Sequence, residues 1–213
     1  MKHEITELVF ILDASGSMSG LEKDTIGGFN SLINKNKKEN EKTIVSTVFF
    51  NDKIHIIHDR IDINLIEKLT ERDYIPAGCT AMLDAIGSSI MRIKQMHNNL
   101  NEDVKPTKIL FIITTDGLEN ASREYSYEKI KNLIETQKEL GWEFLFLGAN
   151  IDAISEANKF GIEKDKTANY RCTDKGIDIN FKALDVAICQ FKEKGKIKKS
   201  WKESIDENYL IDK

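Results

Sequence analysis

Five oxygen-bearing side chains, Asp13, Ser15, Ser17, Thr80 and Asp116, carry the clearest chemical signal in this sequence. They fall in three short clusters, Asp13-Ala14-Ser15-Gly16-Ser17, Gly78-Cys79-Thr80 and Asp116-Gly117. A hard divalent cation such as Mg²⁺ takes near-octahedral oxygen ligands and keeps several of its waters. Two carboxylates offset its charge, while hydroxyls add donors without adding more. Gly16 permits a tight loop, and a helix starting beyond it offers backbone N–H groups that steady carboxylates. Histidine is absent from the clusters and Cys79 is their sole cysteine, which argues against zinc or copper. Mn²⁺ and Ca²⁺ fit the same donors. Singly, each cluster has a plainer reading. Asp, Ser and Thr are favoured helix N-caps, and Asp-Gly is a common turn. Their joint placement is what favours a metal.

For these residues to meet, strands must end at them. In an open α/β sheet, ligands bind outside the carboxyl ends of the strands, where the strand order reverses. Residues 7–12 (ELVFIL) and 108–115 (KILFIITT) are near-continuous apolar runs that read as strands covered on both faces, and they end at Asp13 and Asp116. Residues 43–50 (TIVSTVFF) predict another strand, and Asn51-Asp52 a tight turn into 54–57. Shorter strands are expected at 143–147 and 167–170. Helical spacing of apolar residues begins near Leu21 and recurs over 82–97, 127–140, 151–160 and 177–192, with an amphipathic stretch at 65–69. The 82–97 helix follows Thr80, so that residue can reach the same sheet edge. The alternation implies a doubly wound α/β fold with a mostly parallel sheet, helices on both faces and one antiparallel edge strand. One domain is expected over 1–192, and 193–213 is a charged tail or an extra helix.

Composition narrows the function classes. With 31 basic and 35 acidic residues the net charge is -4, which disfavours nucleic acid and anionic membrane as partners. The early apolar run is too brief for a signal peptide or a membrane span. Cys79, Cys172 and Cys189 are odd in number and widely spaced, as suits free thiols in a reducing, cytoplasmic setting.

The sequence resembles von Willebrand factor type A (VWA) domains. The resemblance rests on Asp13-x-Ser15-x-Ser17 after a buried strand, Phe29-Asn30, the stretch from Gly78 to Ile86, and Thr114-Thr115-Asp116-Gly117. It covers roughly residues 5–192, and the compact form is similar to stand-alone prokaryotic or phage members. It implies the strand order 3-2-1-4-5-6 and a metal-ion-dependent adhesion site. There Ser15 and Ser17 coordinate directly, Asp13, Thr80 and Asp116 coordinate directly or through water, and an acidic side chain of a partner protein completes the shell. Cys79 stands where the family more often has Gly. The expected function is therefore Mg²⁺-dependent protein binding without catalysis. The alternative is a Mg²⁺-dependent hydrolase or phosphotransfer enzyme at the same edge. It lacks a second acid two residues after Asp13, where Ser15 stands, and no phosphate-loop or nucleophile-elbow motif occurs. A purely structural metal is a third possibility.

The remaining polar residues carry weaker expectations. Asp84 favours a helix N-terminus or supports the site from behind. Glu119 and Asn120 lie on the metal edge as partner-selecting or plain loop residues. Cys79 is expected to be small and buried. His3, His55, His58 and His97 are expected at the surface or an edge. The run 196–202 (KIKKSWK) reads as a solvated face.

Overall fold

A computed structural model describes residues 4–37 and 42–210. Among these residues six strands form one sheet in the order β3-β2-β1-β4-β5-β6. These are β1 (Ile5–Asp13), β2 (Lys42–Phe50), β3 (Ile54–Asp62), β4 (Lys108–Thr115), β5 (Glu143–Ala149) and β6 (Thr167–Tyr170). All neighbours pair in parallel except β2 and β3, which form the antiparallel hairpin expected at Asn51. Its turn is closed by Asn51 N–H on the Lys53 carbonyl at 3.0 Å and Lys53 N–H on Asn51 Oδ1 at 2.8 Å. The order reverses between β1 and β4. Their register runs from Thr6 opposite Lys108 to Leu12 opposite Thr114, so Asp13 and Thr115 emerge side by side.

Six helices flank the sheet among the described residues: α1 (Glu22–Asn36), α2 (Met82–Asn98), α3 (Tyr127–Glu139), α4 (Ala153–Lys159), α5 (Asp174–Lys194) and α6 (Glu203–Leu210). Every residue of β1 is buried because alternate side chains feed two cores. Leu8, Phe10 and Leu12 pack with Phe29, Leu32 and Leu184 of α1 and α5. Val9 and Ile11 pack with Ile86, Ile90, Ile130 and Ile134 of α2 and α3. Among the described residues no helix is long and apolar enough to cross a membrane.

Several expectations need correction. The amphipathic 65–69 stretch buries Ile66 and Leu69 without forming a helix: a 3₁₀ turn at Ile63–Leu65 leads into an irregular strap. Asn30 of α1 ties that strap by accepting from Leu69 N–H at 2.8 Å and donating to the Leu69 carbonyl at 2.9 Å. His97 is buried, with Nε2 2.5 Å from Glu7 Oε2, whereas His58 does lie on edge strand β3 but is buried there and meets Thr47 Oγ1 at 3.0 Å. His55 is exposed on edge strand β3, and His3 lies outside the described residues. The lysine-rich run is a solvated face only in part, for Lys196, Lys198, Lys199 and Ser200 are exposed while its other residues turn inward. Ile197 and Trp201 enter the core, and Trp201 Nε1 donates to the Asp165 carbonyl at 2.9 Å. Lys202 is buried with its Nζ donating to the Lys164 and Thr167 carbonyls at 2.9 and 2.5 Å. Beyond this segment α6 packs against β6 and α5, anchored by Ile205.

Candidate metal centre

Asp13 is the last residue of β1, and both its carboxylate oxygens are engaged. Oδ1 accepts from Ser15 N–H at 2.7 Å, and Oδ2 accepts from Thr115 Oγ1 at 2.6 Å. Ser15 Oγ lies 3.1 Å from Ser17 Oγ, which donates to Asp116 Oδ1 at 2.6 Å. A continuous chain of oxygens thus crosses from the β1 loop to the end of β4. Asp13, Ser15, Thr80 and Asp116 are buried, and Ser17 is the exposed member.

Thr80 reaches this edge because two loops are joined by backbone bonds. Gly16 N–H donates to the Gly78 carbonyl at 3.1 Å, and Ala77 N–H to the Ala14 carbonyl at 2.9 Å. Gly78 is required by its left-handed φ of +74° and by Asp52 Oδ1, which a Cβ would approach to 2.1 Å. A Cβ on Gly117 would lie 3.5 Å from Thr80 Oγ1 and 4.0 Å from Ser17 Oγ. The missing side chain of Gly117 therefore leaves open the ground between these hydroxyls.

Capping does not account for these residues. Ser15 precedes a short 3₁₀ turn and Leu21 precedes α1, yet neither makes a side-chain cap bond. At α2 the N-cap is Ala81, and the loop after β4 supplies the missing acceptors. Leu83 N–H donates to Glu119 Oε2 at 2.9 Å and Asp84 N–H to Ser122 Oγ at 3.0 Å. Thr80 is thereby released from capping. Glu119 and Asn120 prove to be braces, for Asn120 Oδ1 accepts from Thr80 N–H at 2.9 Å. Asp84 accepts from the N–H groups of Arg123, Glu124 and Tyr125 at 2.8 to 2.9 Å, fixing the same loop. Cys79, expected to be buried, is exposed.

Sequence reasoning missed three supporting residues. Thr115 holds Asp13 as above, and Tyr74 OH donates to the Asp13 carbonyl at 2.5 Å. Cys172, just beyond β6, places its thiol 3.7 Å from Asp116 Oδ2. Its position after a strand's carboxyl end was the available signal. Burial and the charge of Asp116 push this thiol up to about 12, so it is a neutral S–H at physiological pH.

The donor set is two carboxylates and three hydroxyls, which fits a hard cation. Among the described residues no group of three or more His, Cys, Asp or Glu side chains is arranged to hold a metal. A cation at this edge must therefore draw on the hydroxyls. Burial raises the Asp13 carboxyl above its ordinary value of 3.8; bonds from Ser15 and Thr115 oppose this, and the Asp116 charge adds to it. The folded chain then binds more protons than the unfolded one between that ordinary value and the raised one, so metal-free stability falls as pH rises through this window. In EDTA, the melting temperature of wild type relative to Asp13→Asn is expected to decline as pH rises above about 4. Saturating Mg²⁺ should reverse that decline, and a flat difference would contradict the reading.

Comparison with solved structures places this architecture. The von Willebrand domain of the type V pili tip protein Mfa5 from Porphyromonas gingivalis superposes with a TM-score of 0.61 at 11% identity, covering 88% of this chain and 97% of that one. The fold is that of a VWA domain. A VWA structure from Catenulispora acidiphila agrees, with a TM-score of 0.58 at 12% identity over 86% of this chain and 42% of that one. So does proximal thread matrix protein 1 of the mussel byssus, with a zinc-occupied MIDAS motif: TM-score 0.59, 14% identity, 86% of this chain and 45% of that one. The chain thus spans under half the length of the mussel structures it matches. No family model and no curated protein matches the sequence. The expected VWA order 3-2-1-4-5-6, with its antiparallel edge strand, is the order observed.

Proposed function

We propose that this chain is a Mg²⁺-dependent protein-binding module, whose cation is held by Asp13, Ser15, Ser17, Thr80 and Asp116 and captures an Asp or Glu side chain of a partner. The observation that carries this reading is the bridge from Ser15 through Ser17 to Asp116, with Thr80 facing Ser17 across Gly117. Only two of these donors bear charge, so a cation here stays electrophilic. A partner carboxylate that replaces one of its waters forms a strong, directional contact at a partly desolvated centre. The mussel byssus neighbour, described with zinc in a motif of this kind, supports divalent-metal binding in general.

We read the module as non-enzymatic. Asp13 stands where a phosphatase of this architecture carries its nucleophile, yet Ser15 occupies the place two residues on where the second acid belongs. The test is partner retention from native lysate with Mg²⁺ or EDTA, alongside calorimetry with Mg²⁺, Mn²⁺ and Ca²⁺. Thr80→Ala should weaken Mg²⁺ binding and partner retention by about tenfold or more. Retention unchanged in EDTA would sink the proposal, and Mg²⁺-dependent phosphatase turnover lost in Asp13→Ala would favour the enzyme instead.

A further inference from the structure

The loop between β6 and α5 enters the metal edge from an unexpected direction. β6 is the outermost strand, with β5 between it and β4, yet Cys172 lies against Asp116 at the end of β4. This approach is built into the backbone. Thr173 N–H donates to the Arg171 carbonyl at 2.9 Å, and Thr173 caps α5 by accepting from Gly176 N–H at 3.2 Å. Gly176 fits so closely that a Cβ there would stand 2.0 Å from the Arg171 carbonyl oxygen. On its outer side the Arg171 guanidinium donates to the Tyr209 carbonyl of α6 at 3.3 Å. Cys172 is thus carried on a braced segment.

The Asp116 carboxylate is gripped from two sides. Ser17 Oγ holds Oδ1 at 2.6 Å and the Cys172 thiol holds Oδ2 at 3.7 Å. Ser17 is itself a proposed ligand, and a cation would compete for its oxygen. The thiol contact is the one that can persist unchanged with metal present. We infer that Cys172 is a positioning residue of this centre, its S–H turning Asp116 so that Oδ1 faces the Ser15–Ser17 hydroxyls. This rests on the metal-binding reading above. Residues that orient a metal ligand from behind commonly change affinity by 10–100-fold when lost, and a thiol, as a weak donor, belongs at the low end.

Calorimetric titration with Mg²⁺ tests this on the full chain, comparing wild type, Cys172→Val and Cys172→Ser, with melting temperatures in EDTA alongside. Valine keeps the volume and removes the donor; serine keeps a donor. Valine should weaken Mg²⁺ binding about tenfold while serine stays within about threefold of wild type. The EDTA melting temperatures of both should stay within about 2 °C of wild type. Should valine not fold, alanine gives the same comparison. Equal Mg²⁺ affinity in wild type and valine, or equal losses in valine and serine, would overturn the inference and leave the metal site standing. Absence of Mg²⁺ binding by wild type would instead overturn the site.

Discussion

Asp116→Asn is expected to abolish the Mg²⁺ response of the melting temperature while leaving the metal-free protein at least as stable as wild type. The opposite signs come from one arrangement. Asp13 and Asp116 are both buried at the ends of adjacent strands, and the charge of Asp116 helps to raise the Asp13 carboxyl. Without a cation these groups repel across a poorly solvated gap, which asparagine relieves while still accepting from Ser17. With a cation, the same pair supplies the charge that binds it. Wild type at Mg²⁺ about a hundredfold above its Kd gains about 2.7 kcal/mol, or roughly 5–10 °C for a chain of this size. Thermal melts of both proteins in EDTA and in Mg²⁺ decide the matter. A variant that keeps the full Mg²⁺ shift would remove Asp116 from the site.

Glu7→Ala should have the largest effect on stability, for reasons unrelated to metal. Glu7 is 0% exposed on β1. Arg60 Nε of β3 donates to its Oε1 at 2.6 Å, and His97 Nε2 of α2 lies 2.5 Å from its Oε2. Arg60 holds a left-handed φ of 55° beside a register shift in the β2–β3 ladder, so its pairing with Glu7 helps to keep a strained residue in place. Removing the carboxylate takes from the largely buried Arg60 guanidinium and His97 imidazole the acceptor that both share. Breaking a buried ion pair from one side costs about 3–5 kcal/mol, or roughly 6–20 °C here. Chemical denaturation measures it directly. The Mg²⁺ shift should survive in this variant, because distant sites act independently. A loss below about 1 kcal/mol would mean that the cluster behaves as a solvated surface pair.

What the sequence disclosed was what it encodes locally. Asp13 and Asp116 were legible because each closes a long apolar run, and a doubly covered strand has few other ways to look. Thr80 was legible through its neighbours and the helix after it. The supporting contacts were not. Cys172 follows a four-residue strand, Thr167–Tyr170, and reaches a partner 56 positions away. His97 read as a surface residue because its partner Glu7 is 90 positions off. Lys202 read as solvent-facing because nothing near it announces the two carbonyls that hold its ammonium. Cys79 was expected inside, but it follows the left-handed Gly78 and is exposed. Helix and strand periods report the face of an element, whereas polar pairs between distant elements leave no period to read.

The Ser17–Asp116 contact joins residues 99 positions apart. Such a closure is available only after β1 and β4 have found each other, a late and entropically costly event in the life of the chain. A cation seated there meets no counterpart in a partly folded chain. It would act on the rate at which the finished molecule comes apart rather than on the rate at which it assembles, a clasp closed last and opened first.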